Sequence, residues 1–380
     1  HCSARHRARV LFSVVRFERR HDRTNSERRW RMGDVLMHTR PLWGMSLVVL
    51  AGAFSGTALL PMKYTAQWKF ENTWAVFSLC AYLLAPWMVA LATVPGILGI
   101  YAAVGGRVCL LVAIFGFGWG LAVVLNGVGV TLVGLSLASA ILMGSSVAVG
   151  SIAAFLLRDP GGIATPAGVR IVLADAVMLV GVLLCALAGH WRARGVSDPN
   201  GVSGANKDER RVTSTGIAVC LIAGLLSTLL NVALAYGDVI TRAAILGGSN
   251  PFNAANAVWS LAVSAGSLPS LIWCAFALTR NESWTRFTIN GALLYFGLCL
   301  SMALMWITGT VLYGASAGML GPLGPAIGWP VYMSGIILVS SFWGWTTGEW
   351  RGARRRPVVV MLSGLAVQIL AMTLLAQEKI

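Results

Sequence analysis

The sequence predicts an all-α integral membrane protein of ten transmembrane helices, arranged as two inverted five-helix repeats. Three observations support this fold class: the composition, the lengths of the apolar stretches, and segments that occur twice in the same order. Of the 380 residues, 57% are hydrophobic and only 11% are charged, and the mean hydropathy is +0.73. These values exclude an ordinary soluble domain.

The apolar stretches have the length of membrane spans. A helix needs ~20 apolar residues to cross the ~30 Å of hydrocarbon in a bilayer. No polar face recurs in these stretches at the helical period, which argues against buried helices of a soluble protein. Ten stretches qualify as spans: 43–61, 73–94, 108–126, 131–155, 169–189, 213–235, 255–278, 289–312, 326–347 and 358–376.

Several segments of the first half recur in the second. The segment 51–55 (AGAFS) returns as 223–227 (AGLLS), and 75–79 (AVFSL) returns as 257–261 (AVWSL). Farther along, Trp119 and Asn126 match Trp306 and Tyr313 at one common offset. Because each half holds an odd number of spans, the two copies are expected to be inverted, which is a frequent scaffold of alternating-access transporters.

The polar segments divide the chain into four parts. A basic N-terminal segment (1–40) precedes the first five-helix repeat (41–189), and a polar linker (190–212) precedes the second (213–380). The N-terminal segment is predicted to be disordered or not translated, with translation beginning at Met32 or Met37. The alternative is a basic arm that contacts anionic lipid. Gly and Pro at 247–251 are predicted to break the helix after span six.

The orientation follows from Lys and Arg in the short loops. Most of these residues lie on the side that holds the 190–212 linker. This distribution favours a cytoplasmic linker with both termini outside. The Arg-rich residues 1–31, if translated, argue for the reverse.

The sequence lacks the motifs of an enzyme or a metal site. The seven Cys lie singly, His190 is the only His beyond residue 38, and the glycines at 116–120 have no βαβ unit around them. We therefore expect no cofactor and no metal. The expected partners are the lipid bilayer and a small-molecule substrate, not nucleic acid, and a homodimer remains open.

Two blocks of sequence resemble a known family. A Lys63 followed by Trp-x-x-Glu-x-x-Trp at 68–74, and the run GEWRGARRRP at 348–357, are similar to the L-rhamnose–proton symporter family of the drug/metabolite transporter superfamily. The resemblance covers about 43–376. It implies ten spans in two inverted repeats, a multi-pass location in the bacterial inner membrane, and import with protons of a sugar such as L-rhamnose or of a related small polyol.

The segment 318–330 departs from that family. It is nearly free of hydrogen-bonding side chains, where the family carries a polar and aromatic run. This difference leaves the identity of the sugar open. An alternative function therefore stays open, which is the export of small amphipathic metabolites on the same fold. A third, more distant alternative is a receptor or scaffold that does not transport.

A proton-coupled carrier needs a titratable group in its membrane part. Glu71 and Asp175 are the candidates. Glu71 fits the family block, but it could equally be a helix-start acid in an interfacial aromatic belt. Asp175 lies inside a span, and its simpler explanation is a place near the membrane edge, paired with Arg170 or water. Glu349 is expected to pair with the arginines that follow it, Arg351 and Arg354–356.

The candidates for substrate binding come from spans three, six and eight. Indole rings stack on the C–H faces of sugars, and amides and phenols bind their hydroxyls. The candidates are Trp119, Asn126, Asn231, Trp306 and Tyr313, with Asn126 and Tyr313 as the unlike pair at matching positions. The alternative is that the Trp residues face lipid or pack the core. Glycines 116, 118 and 120 are expected to allow close backbone approach and to loosen the helix at mid-membrane.

Overall fold

The computed structural model describes residues 26–133, 135–196 and 214–376. The chain divides into two compact units, His1–Leu42 and Trp43–Ile380. The described part of the first unit, from Ser26 onward, is helical. All contacts reported below belong to the second unit. The predictions for residues 1–25 and for most of the linker, 197–213, lie outside the described residues.

Among the described residues, ten helical segments are long and apolar enough to cross a membrane, which confirms the prediction of ten spans. We number them span 1 to span 10. The first five contain the following helices: Ser26–Thr57 (span 1); Phe70–Ser78, the π-turn Leu79–Leu84 and Ala85–Thr93 (span 2); Gly106–Val133 (span 3); Leu135–Arg158 (span 4); and Pro166–Val196 (span 5).

The second five spans follow the 197–213 segment. They contain Ser214–Ser227, Leu229–Tyr236 and Asp238–Leu246 (span 6); Asn256–Arg280 (span 7); Ala292–Met319 (span 8); Gly324–Thr346 (span 9); and Arg355–Ala376 (span 10). Short helices lie between spans at Leu60–Tyr64, Ile97–Val104, Gly162–Ala164 and Trp284–Thr288. The helix of span 5 continues to Val196, so the first residues of the predicted linker extend that helix.

Consecutive spans cross in opposite directions, which defines two sides. We call the side where span 5 ends the linker side, and the opposite one the terminal side. Odd-numbered spans end on the linker side. The inverted repeat itself stays a prediction.

The irregular helices are spans 2 and 6. In span 2 the π-turn Leu79–Leu84 precedes Pro86, which has no N–H to continue the ladder. Span 6 consists of three helical pieces and ends at Leu246, and Gly248 then turns with a φ of +94°. The helix break predicted at 247–251 is therefore confirmed.

The glycines of span 3 serve packing and do not loosen the helix. A Cβ on Gly116 or Gly120 would collide with the backbone carbonyls of Ala262 or Gly266 in span 7. The predicted close approach is thus confirmed, but the predicted loosening is wrong, because Gly106–Val133 runs unbroken. Lipid offers no hydrogen bonds to a broken backbone, so a packed helix keeps its own.

Candidate functional site

Three aromatic rings meet in the middle of the membrane-spanning unit. Trp119 of span 3 and Trp306 of span 8 stack with ring centroids 5.9 Å apart and planes at 26°. Tyr82, from the π-turn of span 2, stands edge-on to both, at 5.1 Å from Trp119 and 4.8 Å from Trp306. Trp119 is buried and Trp306 half-buried. We call these three rings the central aromatic cluster.

A second group of rings lies toward the terminal side. Tyr313 of span 8 stacks on Tyr332 of span 9, with centroids 4.8 Å apart and planes at 16°. Trp259 and Trp329 also pack against Tyr313, with centroids 6.1 and 5.7 Å away. Trp306 and Tyr313 lie about two turns apart on the same helix of span 8, so the two groups are neighbours along it. All four rings of this second group are buried.

Asn231 connects this second group to the backbone of two spans. The hydroxyl of Tyr313 donates to Asn231 Oδ1 at 2.5 Å. The Nδ2 of Asn231 donates to the carbonyl oxygens of Gly150 at 3.1 Å and Pro325 at 3.0 Å. The structure therefore brings together two predicted binding residues, Asn231 and Tyr313, although they come from spans 6 and 8.

Several buried polar atoms of spans 3, 7 and 9 have no hydrogen-bond partner among the described residues. An unpaired buried donor or acceptor lowers the stability of the fold by about 1–3 kcal/mol. A ligand hydroxyl that forms a hydrogen bond with such an atom would remove this cost. One of them, Trp259 Nε1, belongs to a ring that packs on Tyr313. The others in spans 3, 7 and 9 are Asn126 Oδ1, Ser264 Oγ and Ser334 Oγ.

Asn126 does not join Tyr313. Asn126 Oδ1 accepts no hydrogen bond, whereas Tyr313 bonds to Asn231. Asn126 and Tyr313 each lie seven residues beyond a central Trp, about 10 Å farther along the helix. Because spans 3 and 8 cross in opposite directions, these two positions lie toward opposite sides. Asn126 lies toward the linker side and Tyr313 toward the terminal side. The matching positions are therefore separated by the Trp pair.

Residue-by-residue reasoning missed Tyr82, Trp259 and Tyr332. Tyr332 shares a hydrogen bond of 2.7 Å with Ser55 of span 1. It follows the segment 318–330, which looked almost free of polar side chains. A signal was present, because a tyrosine inside an apolar span must find a partner for its hydroxyl.

Glu71 lies at the linker side, away from the central aromatic cluster. It is in the first turn of the helix Phe70–Ser78 and is only 6% exposed. Its Oε1 accepts hydrogen bonds from Asn281 Nδ2 and Ser283 Oγ, both at 2.9 Å. Asn72 Nδ2 adds a bond to the carbonyl of Ser283 at 2.9 Å. Glu71 thus joins the start of span 2 to the loop between spans 7 and 8.

Glu349 forms a second linker-side contact, with partners other than those predicted. It pairs with Lys63 at the end of span 1 and with Arg192 at the end of span 5, the latter at 3.2 Å. A turn at Gly348, with a φ of +83°, comes directly before Glu349, and both of these ion pairs are with residues of other elements and not with the arginines that follow. Burial opposes ionisation, but the bonds and charges of Lys63 and Arg192 outweigh it and lower the pKa of Glu349.

The terminal side holds an ion-pair group of its own. Asp238 Oδ2 lies 2.7 Å from Arg158 Nη1 at the end of span 4 and 2.7 Å from Arg242 Nε in the last piece of span 6. Asp238 is the first residue of the helix Asp238–Leu246. These contacts join spans 4 and 6.

Asp175 is the buried acid of span 5. It is 2% exposed, and neither of its carboxyl oxygens has a hydrogen-bond partner among the described residues. The carboxyl oxygens therefore form no hydrogen bond with Arg170 in this arrangement, while the place near the membrane edge and the pairing with water stay predictions. Asp175 and Glu71 are both buried, but the structure does not bring them together.

No metal site appears in the part of the chain that the structure describes. No group of three His, Cys, Asp or Glu side chains there could hold an ion. The six described cysteines, from Cys80 to Cys299, are free thiols.

Comparison with known proteins identifies the family. A family model described as L-rhamnose-proton symport protein (RhaT) matches residues 41–378. A protein named L-rhamnose-proton symporter from Cronobacter sakazakii is 26% identical over 330 residues, which cover 85% of this chain and 93% of the relative. Relatives of the same name from Citrobacter koseri and Salmonella gallinarum are each 24% identical over 330 residues, with 85% of this chain and 94% of the relative covered.

The match extends over all ten spans. Together with the bacterial relatives, the ten apolar helices make this a multi-pass protein of the bacterial inner membrane. The chain belongs to the L-rhamnose-proton symport protein (RhaT) family.

Proposed function

We propose that the protein imports L-rhamnose or a closely related deoxysugar together with protons, by alternating access. The observation that carries this proposal is the family match over residues 41–378. The relatives that share this family are named L-rhamnose-proton symporters and align with nearly their whole length. These relatives do not support the alternative function as an exporter.

The aromatic groups at mid-membrane suit such a sugar. A deoxysugar has a methyl group and C–H faces that pack on indole and phenol rings, and hydroxyls that need polar partners. Trp119 and Trp306 supply the stacking surface in this proposal. Tyr313 and Asn231 supply hydrogen-bonding groups, and Asn126 supplies a polar contact on the linker-side half of the path.

The segment 318–330, which has few hydrogen-bonding side chains, is compatible with a sugar as the substrate. Its backbone carbonyls at Pro325 and Ala326 accept bonds from Asn231 and Ser151. Trp329 Nε1 donates to the carbonyl of Ser146 at 3.0 Å. The polar groups of this segment are thus in the backbone and one indole, and they hold span 9 against spans 4 and 6. Recognition of the sugar then falls to Tyr332 and its neighbours.

The two ends of the unit supply the gates of an alternating-access cycle. Glu71 and Glu349 join spans at the linker side, and Asp238 joins spans 4 and 6 at the terminal side. In this proposal the contacts of one side separate while those of the other hold. Glu71 acts in coupling as a gate, because protonation would remove the charge that Asn281 and Ser283 stabilise.

Uptake by proteoliposomes tests the proposal. With an acidic exterior, labelled L-rhamnose is expected to accumulate above its outside concentration and to leave again when an uncoupler is added. Trp119→Ala should lose uptake, because it removes half of the central stack. Trp345→Ala is the matched control, because Trp345 is 40% exposed on span 9 and away from the stack. Uptake that ignores the uncoupler would refute proton coupling.

A further inference from the structure

The carboxyl of Asp175 is isolated in the interior of the terminal-side half. It lies in span 5, a few turns from the terminal end of that span, and span 5 packs against spans 4, 9 and 10. An ionised carboxylate without donors is poorly tolerated at such a place, whereas a neutral acid is tolerated. Asp175 therefore has a reason to hold a proton in the arrangement seen here.

Among the described residues, no charged side chain forms a hydrogen bond with this carboxyl. On span 5 itself the other charged or titratable residues are Arg170, Cys185, His190, Arg192 and Arg194. The neighbouring helices contribute the following groups: Arg158 at the end of span 4, bound to Asp238; Tyr332 on span 9, bound to Ser55; and Arg355 and Arg356 at the start of span 10. Ser151 of span 4 is the polar side chain beside Asp175, but its hydroxyl bonds to Ala326 in this arrangement, which leaves both carboxyl oxygens unpaired among the described residues.

Ser151 links Asp175 to the first turn of span 9. The Ser151 hydroxyl donates to the carbonyl oxygen of Ala326 at 2.7 Å. The adjacent residues of the same two spans, Gly150 and Pro325, accept the two bonds from Asn231 Nδ2. Asn231 in turn accepts from Tyr313. A short series of contacts thus runs from the isolated acid to the rings that form the proposed sugar site.

We propose that Asp175 binds the transported proton and that Ser151 passes its protonation state to the sugar site. This inference rests on the proposed function. With Asp175 protonated, Ser151 bonds to Ala326 and holds span 9 against span 4. When the proton leaves, the carboxylate becomes the stronger acceptor and takes the Ser151 hydrogen. The bond to Ala326 is then broken, and the neighbouring carbonyl of Pro325, together with Asn231 and Tyr313, is free to shift.

The proton balance is simple. One proton enters from the side with the higher proton activity, converts the carboxylate to the acid, and leaves as the carboxylate re-forms on the other side. Sugar binding and proton binding then favour the same arrangement of span 9, so each increases the affinity for the other.

Asp175→Asn tests this, because the amide keeps the shape and cannot titrate. Two quantities are measured with L-rhamnose: proton-driven accumulation in proteoliposomes, and sugar binding by tryptophan fluorescence as a function of pH. In wild type the apparent Kd is expected to rise with pH, by up to about tenfold per pH unit. In Asp175→Asn the Kd should be independent of pH and accumulation above equilibrium should be lost, while sugar exchange continues.

Ser151→Ala separates the two parts of the inference. It keeps the acid but lacks the hydroxyl, so it should weaken the pH dependence of the Kd and keep sugar binding. Asp159→Asn is the control for loss of an acid at the same side, since Asp159 is exposed beyond span 4. If Asp175→Asn transports poorly, the binding measurement still decides. A Kd that varies with pH as in wild type overturns the assignment to Asp175.

The failure of this inference differs from failure of the proposed function. Wild-type protein that neither binds nor accumulates L-rhamnose contradicts the proposed function. Wild-type protein that couples sugar to protons, with an Asp175→Asn variant that couples equally well, contradicts only the role of Asp175.

Discussion

Glu71 and Asp175 are two buried carboxyl groups in opposite situations. Glu71, at the linker side, accepts bonds from two donors in the loop between spans 7 and 8. Asp175, in the terminal-side half, has no hydrogen-bond partner among the described residues. A carboxylate held by fixed donors contributes to a stable contact, whereas an isolated one is stable when neutral. The difference suggests a gate at Glu71 and a proton site at Asp175.

The largest effect on stability is expected from Glu71→Ala. The change leaves the amide of Asn281 and the hydroxyl of Ser283 without their acceptor. The expected loss is about 2 kcal/mol in the free energy of unfolding, because an unpaired buried donor costs ~1–3 kcal/mol. Titration of the detergent-solubilised protein with SDS measures it. Glu71→Gln, which keeps an acceptor oxygen, should lose less; equal stability of Glu71→Ala and wild type would show that this contact is not formed.

Tyr313→Phe is expected to have the next largest effect. It removes the hydroxyl that bonds to Asn231 Oδ1 and leaves that buried oxygen unpaired. The loss should be about 1 kcal/mol in the free energy of unfolding, with several-fold weaker binding of L-rhamnose. Both follow from SDS titration and tryptophan fluorescence. Tyr64→Phe provides the control, because Tyr64 is 62% exposed. Unchanged sugar affinity in Tyr313→Phe would exclude Tyr313 from the site.

The contact of Glu349 with Lys63 and Arg192 should contribute less. The side chains of Lys63 and Glu349 are 39% and 41% exposed, and such pairs contribute ~0–1 kcal/mol. Because the folded pKa of Glu349 is lowered, its contribution is present above the unfolded value of 4.5 and is lost as the pH falls through the folded pKa. Thermal unfolding of wild type and Glu349→Gln should therefore differ at neutral pH and converge in acid. A constant difference would show that Glu349 is not ionised in this contact.

Asp175→Ala should have the smallest effect on stability. It removes an acid with no hydrogen-bond partner among the described residues, so no hydrogen bond is lost and the change should stay within about 1 kcal/mol. SDS titration beside Glu71→Ala makes the comparison direct. A loss as large as that of Glu71→Ala would show that Asp175 has a structural partner, and the contrast between the two acids would then disappear.

The ten spans were predictable because the length and polarity of each stretch are local properties of the sequence. Trp119 and Trp306 were selected as candidates from their matching positions in the two halves, but the stacking of one ring on the other was not predicted. The partners of the acids were not predictable in the same way. Asn281 lies 210 residues beyond Glu71 and Ser283 lies 212 beyond it, so no local pattern connects them. The sequence shows where the charged residues are, but it does not show which of them form hydrogen bonds or ion pairs.

The rings of Tyr82 and Tyr332 show a second limit. Each is a single aromatic residue within an apolar span. Because the residues around it are apolar as well, no hydrophobic periodicity distinguishes its position. The π-turn that carries Tyr82 depends on Pro86 and on the packing of spans 7 and 8 around span 2. Sequence reasoning instead placed the irregularity at the glycines of span 3, where backbone packing keeps the helix regular.

The most direct test of the account follows proton and sugar in the same experiment. Proteoliposomes in a weakly buffered medium are given L-rhamnose, and the pH of the exterior is recorded. The account predicts that the exterior becomes alkaline as sugar enters, and that this change is absent with an uncoupler or in liposomes without protein. Entry of L-rhamnose with no movement of protons would contradict it.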